Sequence, residues 1–316
     1  MKPLNLFPYD SAIPFMRMRW GALVLAALLV ALAIGAMATR GFNFALDFTG
    51  GTVTELRFEQ PVDVDDIRAR LESAGYDSPQ VQTLGSGNDL LVRLQPKKGD
   101  DPAAANRTAD DVLDAVSLEG NPATIVKSDF VGPQVGDELA LNGIYAMLFV
   151  GLGFLMYISF RFEWKFAVAA IICTAQDIMI VLGWFSLTGR EFDLTVLAGG
   201  LSTMGFSIND TIVVFDRVRE NFRGMRADPA TILNRSINQT LSRTVITSFV
   251  AFLTVLALYL YGGGSLEGMA EALMVGIVIG TVSTIFVACP LLLWLGVSKQ
   301  DLMPKVREEE ELARRP

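Results

Sequence analysis

The chain alternates between long apolar stretches and one long mixed stretch, and this contrast sets its organisation. Six apolar runs stand out, at 20–39, 139–160, 166–187, 194–215, 245–261 and 270–297. About 18 or more consecutive apolar residues span a hydrocarbon core roughly 30 Å thick. The first run, WGALVLAALLVALAIGAMAT, is bounded by Arg19 and Arg40. It is too long for the apolar region of a signal peptide, so it reads as a retained anchor.

Between the first two runs the pattern changes. Residues 52–58 (TVTELRF) alternate with β-branched positions, as a strand does. Residues 64–75 carry Ile67 and Leu71 at helical spacing, with Asp63 as a cap and Gly75 as a stop. Short strands follow at 81–84 and 90–94, joined across GSGN, then a helix at 110–117 and a last strand at 124–130. The segment 96–109 reads as a loop. The order β-α-β-β-α-β is that of a ferredoxin-like domain.

Composition supports the membrane reading. The chain is 51% hydrophobic and 19% charged, with a mean hydropathy of +0.40. A soluble domain needs more charge on its surface. Arginine and lysine placement sets the orientation. The N-terminal segment and the links at 161–165 and 216–243 are basic, as is the tail, whereas the opposite short links hold only Arg190. Both termini are therefore expected in the cytoplasm and the mixed domain on the opposite side of the membrane. The expected boundaries are a cytoplasmic N-terminus at 1–19, a first span at 20–39 and a periplasmic α+β domain at 40–138. Spans two to six then occupy 139–297, with a cytoplasmic amphipathic link at 216–243 and a tail at 298–316. In that link Val218, Phe222 and Met225 form one apolar stripe, and Ile232, Leu233 and Ile237 a second.

The mixed domain carries nine basic residues, counting Arg40, against eighteen acidic ones, which argues against nucleic acid as a partner. The chain's two cysteines, Cys173 and Cys289, lie inside spans and read as small apolar packing residues. There is no histidine. A histidine metal site or proton relay is excluded for this chain alone, so proton chemistry falls to carboxylates, water or a partner.

Two carboxylates sit where lipid would surround them. Asp210, beside Asn209, lies about six residues before the charged end of the fourth run, roughly 9 Å below the boundary. Asp177, beside Gln176, lies near the middle of the third. Such groups are costly in a bilayer and must face a partner or a water-filled cavity. The short link GREFD makes the two runs antiparallel neighbours. Burial and a like charge nearby both disfavour ionisation, so proton exchange becomes feasible and could couple to a gradient. Each residue also has a plainer reading as a structural helix–helix hydrogen bond. Arg243, opening the fifth run, either reaches toward Asp210 or snorkels to headgroups. Thr211, Thr247 and Ser248 read as packing hydroxyls. Glycines at 151, 153, 199, 200, 205, 276 and 280 would allow close helix approach. No phosphate-binding loop, nucleophile elbow or H-E-x-x-H string occurs, so neither an enzyme, a cofactor nor a metal is expected.

Four strings carry a resemblance: FALDFTGGT at 44–52, SDFVGPQVGDEL at 128–139, GFSINDTIVVFDRVREN at 205–221 and SINQTLSRTVITS at 236–248. In this order they resemble the SecF family of protein-export membrane proteins, within the RND-type (resistance–nodulation–division) permeases. The resemblance implies a six-span half of such a permease with one outer domain. It also implies pairing with SecD, association with the SecYEG channel, unfolded secretory chains as substrates, and use of the proton-motive force. The family's intramembrane Asp falls on Asp210 and its Arg on Arg243. Many relatives have His-Asp where this chain has Gln176–Asp177, which puts any role of that histidine in doubt here. FTGG reads as a flexible turn, and the resemblance puts it at the joint between span and outer domain. A subunit of a small-molecule or lipid transporter, and a passive scaffold of the translocon, remain as alternatives. The outer domain, roughly 100 residues, is small for a transporter's porter domain.

Overall fold

The computed structural model describes residues 11–76, 79–84, 88–94, 105–117, 121–131 and 133–298. Residues 85–87 of the GSGN turn and most of the 96–109 stretch lie outside them. The chain forms two compact units. One comprises Met1–Phe42, Met147–Arg190 and Thr195–Pro316, and the other comprises Asn43–Ala146 with Glu191–Leu194.

The first unit is helical. A 3-10 turn, Phe15–Met18, leads into α1 (Arg19–Arg40). Gly41 closes this helix by donating its N–H to Met37 O. The chain returns through the C-terminal part of a later helix, introduced below, and then through α6 (Trp164–Thr188), α7 (Leu194–Gly224), α8 (Pro229–Tyr261) and α9 (Gly264–Ser283). A π-turn, Thr284–Ala288, joins α9 to α10 (Cys289–Trp294). Pro290 offers no N–H to the preceding turn, and the wider π-turn absorbs that loss. Among the described residues, five helical stretches are long and apolar enough to cross a membrane: Phe15–Arg40, Glu138–Arg161, Trp164–Thr188, Pro229–Tyr261 and Leu266–Trp294. The run at 194–215 is helical within α7 but is not among them. Its polar content, including Ser202, Thr203, Ser207, Asn209, Asp210 and Thr211, is the reason.

The stretch at 216–243 is not a separate link. α7 runs unbroken through Phe215 to Gly224, because no proline or other breaker intervenes. α8 starts at Pro229, whose ring suits the first helical position, and Asp228 caps it by accepting from Ala230 N at 3.1 Å. The two expected apolar stripes meet in one core with Phe166 and Phe215: Val218, Phe222, Leu233 and Ile237 are all buried there. Polar residues lace the same two helices. Arg217 Nε and Asn221 Nδ2 both donate to Gln239 Oε1, at 2.8 and 2.9 Å. Asn238 holds the N-terminal segment through both the N–H and the C=O of Ile13, each at 3.0 Å. The exposed pair Arg161–Asp216 (3.0 Å) is worth at most about 1 kcal/mol. Arg161→Ala is therefore expected to leave the protein's melting temperature nearly unchanged.

The second unit is α+β. Strand β1 (Asn43–Phe44) and one helical turn, α2 (Leu46–Thr49), precede β2 (Gly51–Phe58). α3 (Val64–Ser73), β3 (Gln80–Leu84), β4 (Asp89–Leu94), α4 (Ala105–Val116) and β5 (Ala123–Val131) follow. The next helix, α5 (Pro133–Arg161), begins in this unit. β6 (Glu191–Phe192) pairs in parallel with β1. The main sheet has the order β3-β4-β2-β5, every pair antiparallel. Asp63 caps α3 by accepting from Asp65 N at 2.9 Å, and Ile67 and Leu71 turn inward onto Leu56, Leu90 and Val92. Leu71 is fully buried. Leu71→Ala should cost about 2–5 kcal/mol locally. The check is hydrogen exchange on the full chain, which should show protection lost in α3 and the sheet but kept in α6.

Candidate functional site

The site is built on four helices of the helical unit. α7 presents polar residues at helical spacing, Thr203, Ser207 and Asp210/Thr211, on one side. α9 meets them with its small residues. A Cβ on Gly276 would lie 2.2 Å from Thr203 Oγ1, and one on Gly280 would lie 3.2 Å from Ser207 Cβ. Glycine is thus what lets α9 approach so closely. α6 brings Asp177, which is fully buried.

Ser207 is the hinge of the arrangement. Its Oγ donates to Asp177 Oδ2 at 2.5 Å. Asp177 Oδ1 is buried, and the buried hydroxyl of Ser283 on α9 stands near the same carboxylate. Thr211 and Thr284 share a hydrogen bond at 3.1 Å where α9 gives way to the π-turn. π-turns of this kind are frequent at functional sites.

Asp210 sits half-buried on the same helix. Ser248 Oγ of α8 donates to its Oδ2 at 3.1 Å. Both residues line a cavity of about 100 Å³, together with Asn209, Thr247, Ser207 and the two glycines of α9. At roughly 10–15 Å³ per water position, that volume has room for several waters, and its walls supply their polar partners. Ser207 therefore touches buried Asp177 on one side and the Asp210 cavity on the other. The arrangement can hold and pass a proton between two carboxylates through hydroxyls and water.

Of the expected residues, Asp210 and Asn209 share the cavity and Asp177 joins it through Ser207. Asn209 is exposed. Arg243 is exposed too, and makes no ion pair with Asp210 among the described residues. Ser248 is more than a packing hydroxyl, whereas Thr247 bonds back to Arg243 O at 2.9 Å. The two cysteines are free and buried. A second polar cluster lies at the α6–α7 link. Arg190 Nη1 reaches Glu267 at 2.8 Å and buried Glu271 at 3.1 Å, and Trp184 Nε1 donates to Glu271 at 2.8 Å. The spacing of polar residues did not single out Glu271 or Ser207. Ser207 could have been found as the residue one turn before Asp210.

Residues 113–298 match the model for the C-terminal part of the protein export membrane proteins SecD and SecF, and residues 35–62 match the SecD/SecF GG motif. The chain is 45% identical over 298 residues to the protein translocase subunit SecF of Pseudomonas aeruginosa, covering 93% of this chain and 95% of that one. The chain belongs to the SecD/SecF family of protein-export membrane proteins. The resemblance carried by the four strings is borne out. SecF of Vibrio alginolyticus is 43% identical, with 95% of each chain covered. The crystal structure of SecDF from Thermus thermophilus, described as a translocon-associated membrane protein, superposes with a TM-score of 0.79 at 40% identity. It covers 92% of this chain and 39% of that one, so the chain spans about two fifths of the SecDF polypeptide. As a SecD/SecF family member, the chain is a multi-pass membrane protein and a translocase subunit that assists protein export.

Proposed function

We propose that this translocase subunit couples the proton-motive force to export by protonation and deprotonation of Asp210. The observation that carries the proposal is the polar cavity itself. Asp210, Ser248 and Asn209 face a space that also reaches Ser207, and Ser207 holds the second carboxylate, Asp177. A carboxylate in an apolar helix is expensive, and such placement marks an ion pathway more often than a structural bond. Each charge moved gains about 2.3 kcal/mol per 100 mV of membrane potential. Asp177 is proposed as a second proton site, Asn209 as a cavity-lining partner, and Arg243 as a cation that serves the Asp210 site.

The proposed setting is the bacterial inner membrane, with both termini cytoplasmic and the α+β unit periplasmic. Basic links on one side support this orientation. Six spans are proposed, with α7 added to the other five as the fourth in chain order: at 31 residues it is about 46 Å long, ample for a bilayer. A half-permease of this kind needs a matching half, and SecD is proposed to supply it. The strand order β3-β4-β2-β5 with two helices supports a ferredoxin-like domain. That domain is proposed to grip unfolded secretory chains leaving the SecYEG channel.

The test is to co-purify Asp210→Asn with SecD and then measure export with and without a proton gradient. Intact assembly with lost gradient stimulation supports coupling. Intact assembly with unchanged stimulation supports a passive scaffold instead.

A further inference from the structure

The glycine-pair motif, residues 44–52, has a job that the proton site does not account for. Leu46–Thr49 makes one helical turn, and Gly50 (φ 68°) and Gly51 (φ 132°) then reverse the chain into β2. Both angles lie where residues with a Cβ are strained. Four residues of the motif meet one short segment, Glu191–Leu194, which leads into α7. Asp47 Oδ2 accepts from Leu194 N at 3.1 Å and so caps the first residue of α7. Ala45 N donates to Phe192 O at 2.9 Å, continuing the parallel pairing of β1 with β6. Phe44 and Phe48 both pack on the Phe192 ring, at 6.1 and 5.9 Å between centroids. Arg93 of β4 forms an ion pair with Glu191 from the sheet side. Gly136 closes the arrangement from behind, since a Cβ there would lie 2.9 Å from Phe48 O.

All of these contacts lie within the α+β unit, and Leu194 belongs to that unit. The helix that starts there carries Asp210 sixteen residues further on. A helix transmits axial displacement along its hydrogen-bonded length, so whatever holds its first turn moves with it. We infer that the glycine-pair motif is a clamp on the start of α7, with Asp47 as the positioning residue, through which movement of α7 is delivered to the α+β domain. The inference rests on the proposed coupling role of α7. It differs in locating the mechanical joint, and it requires that joint to stay closed throughout the cycle.

The test uses the full chain with SecD in membrane vesicles, reading export with and without a proton gradient. Asp47→Ala removes the cap and is expected to cut gradient-stimulated export about fivefold, the size of a lost helix cap. Gradient-independent export and co-purification with SecD should be unchanged. Asp47→Asn keeps an acceptor oxygen and should retain most of the stimulation. A disulfide between Phe44→Cys and Phe192→Cys, whose Cα atoms are strand partners, replaces the cap covalently. In the Asp47→Ala background, oxidation should restore stimulation and reduction should remove it again. With Asp47 intact, the oxidised pair should export as well as the parent. Full stimulation in Asp47→Ala, or loss of stimulation when the joint is locked with Asp47 present, would overturn the clamp. Asp210→Asn run alongside separates the two ideas. Stimulation that survives Asp210→Asn but not Asp47→Ala rejects the proton site and upholds the clamp.

Discussion

Asp210→Asn is expected to abolish gradient-stimulated export while leaving the protein folded and assembled. The substitution is nearly isosteric, and the Asn carbonyl can still accept from Ser248 Oγ. The 100 Å³ cavity keeps its shape. Only the exchangeable proton is lost. Moving one charge through 100 mV is worth about 2.3 kcal/mol, or roughly a fiftyfold bias between two conformations. Without that charge the bias disappears, and export should fall to the level seen with the gradient collapsed. Asp210→Glu keeps a titrating group but lengthens it within a small space, so partial activity is expected. Asp177→Asn offers the decisive comparison. If Ser207 and Asp177 merely feed the cavity, their loss should slow stimulation without erasing it. Complete loss at Asp177 with full activity at Asp210 would move the proposed proton site to α6.

Gly276→Ala is expected to have the largest structural effect. The added Cβ would lie 2.2 Å from Thr203 Oγ1, 2.3 Å from its Cγ2 and 2.8 Å from its Cβ. Overpacking of this sort typically costs about 1–3 kcal/mol. The Thr203 side chain is fully buried, so it has nowhere to turn. A lower melting temperature and poorer yield in detergent should follow. Thr203→Gly in the same chain removes the colliding atoms and should recover most of the loss. Gly280→Ala makes a milder test, because its Cβ would be 3.2 Å from Ser207 Cβ and 3.6 Å from Asp177 Oδ2. That variant should fold but disturb the Ser207–Asp177 contact. Its gradient-stimulated export is expected to suffer more than its stability. If Gly276→Ala melted like the parent, the close approach of α9 to α7 would be wrong.

The helices were legible because lipid selects long apolar runs, but their ends were not. Hydropathy marks where a helix meets lipid, whereas the backbone hydrogen bonds of α8 begin at Pro229, sixteen residues before the apolar run at 245. α7 shows the converse. Its helical spacing was readable, yet its polar stripe keeps it below the hydropathy of the other spans. In the α+β unit, the capped helix α3 and the alternating strands were legible from local pattern. α4 begins at Ala105, inside a stretch of small and charged residues that reads as loop.

The same division holds at the site. Asp177, Asn209 and Asp210 announce themselves because polar groups are rare in such runs. Ser207 does not, since a serine in a span usually bonds its own backbone. Its contact with Asp177 exists because Gly280 on another helix lets three helices converge. Asp47 and Leu194 are 147 residues apart, and no local pattern links a carboxylate in a turn to the first N–H of so distant a helix. Arg243 is the opposite case. The resemblance pairs it with Asp210, but here it stays exposed without an ion pair to it among the described residues.

The central claim is that Asp210 gains and loses a proton while the protein works. Infrared difference spectroscopy on the complex with SecD in lipid tests this most directly, with Asp210→Asn as the reference. The account predicts a carboxylic-acid carbonyl band that rises and falls as pH is stepped across the working range, and that is missing in Asp210→Asn. A band that never changes, or a titrating band that survives in Asp210→Asn, would contradict it.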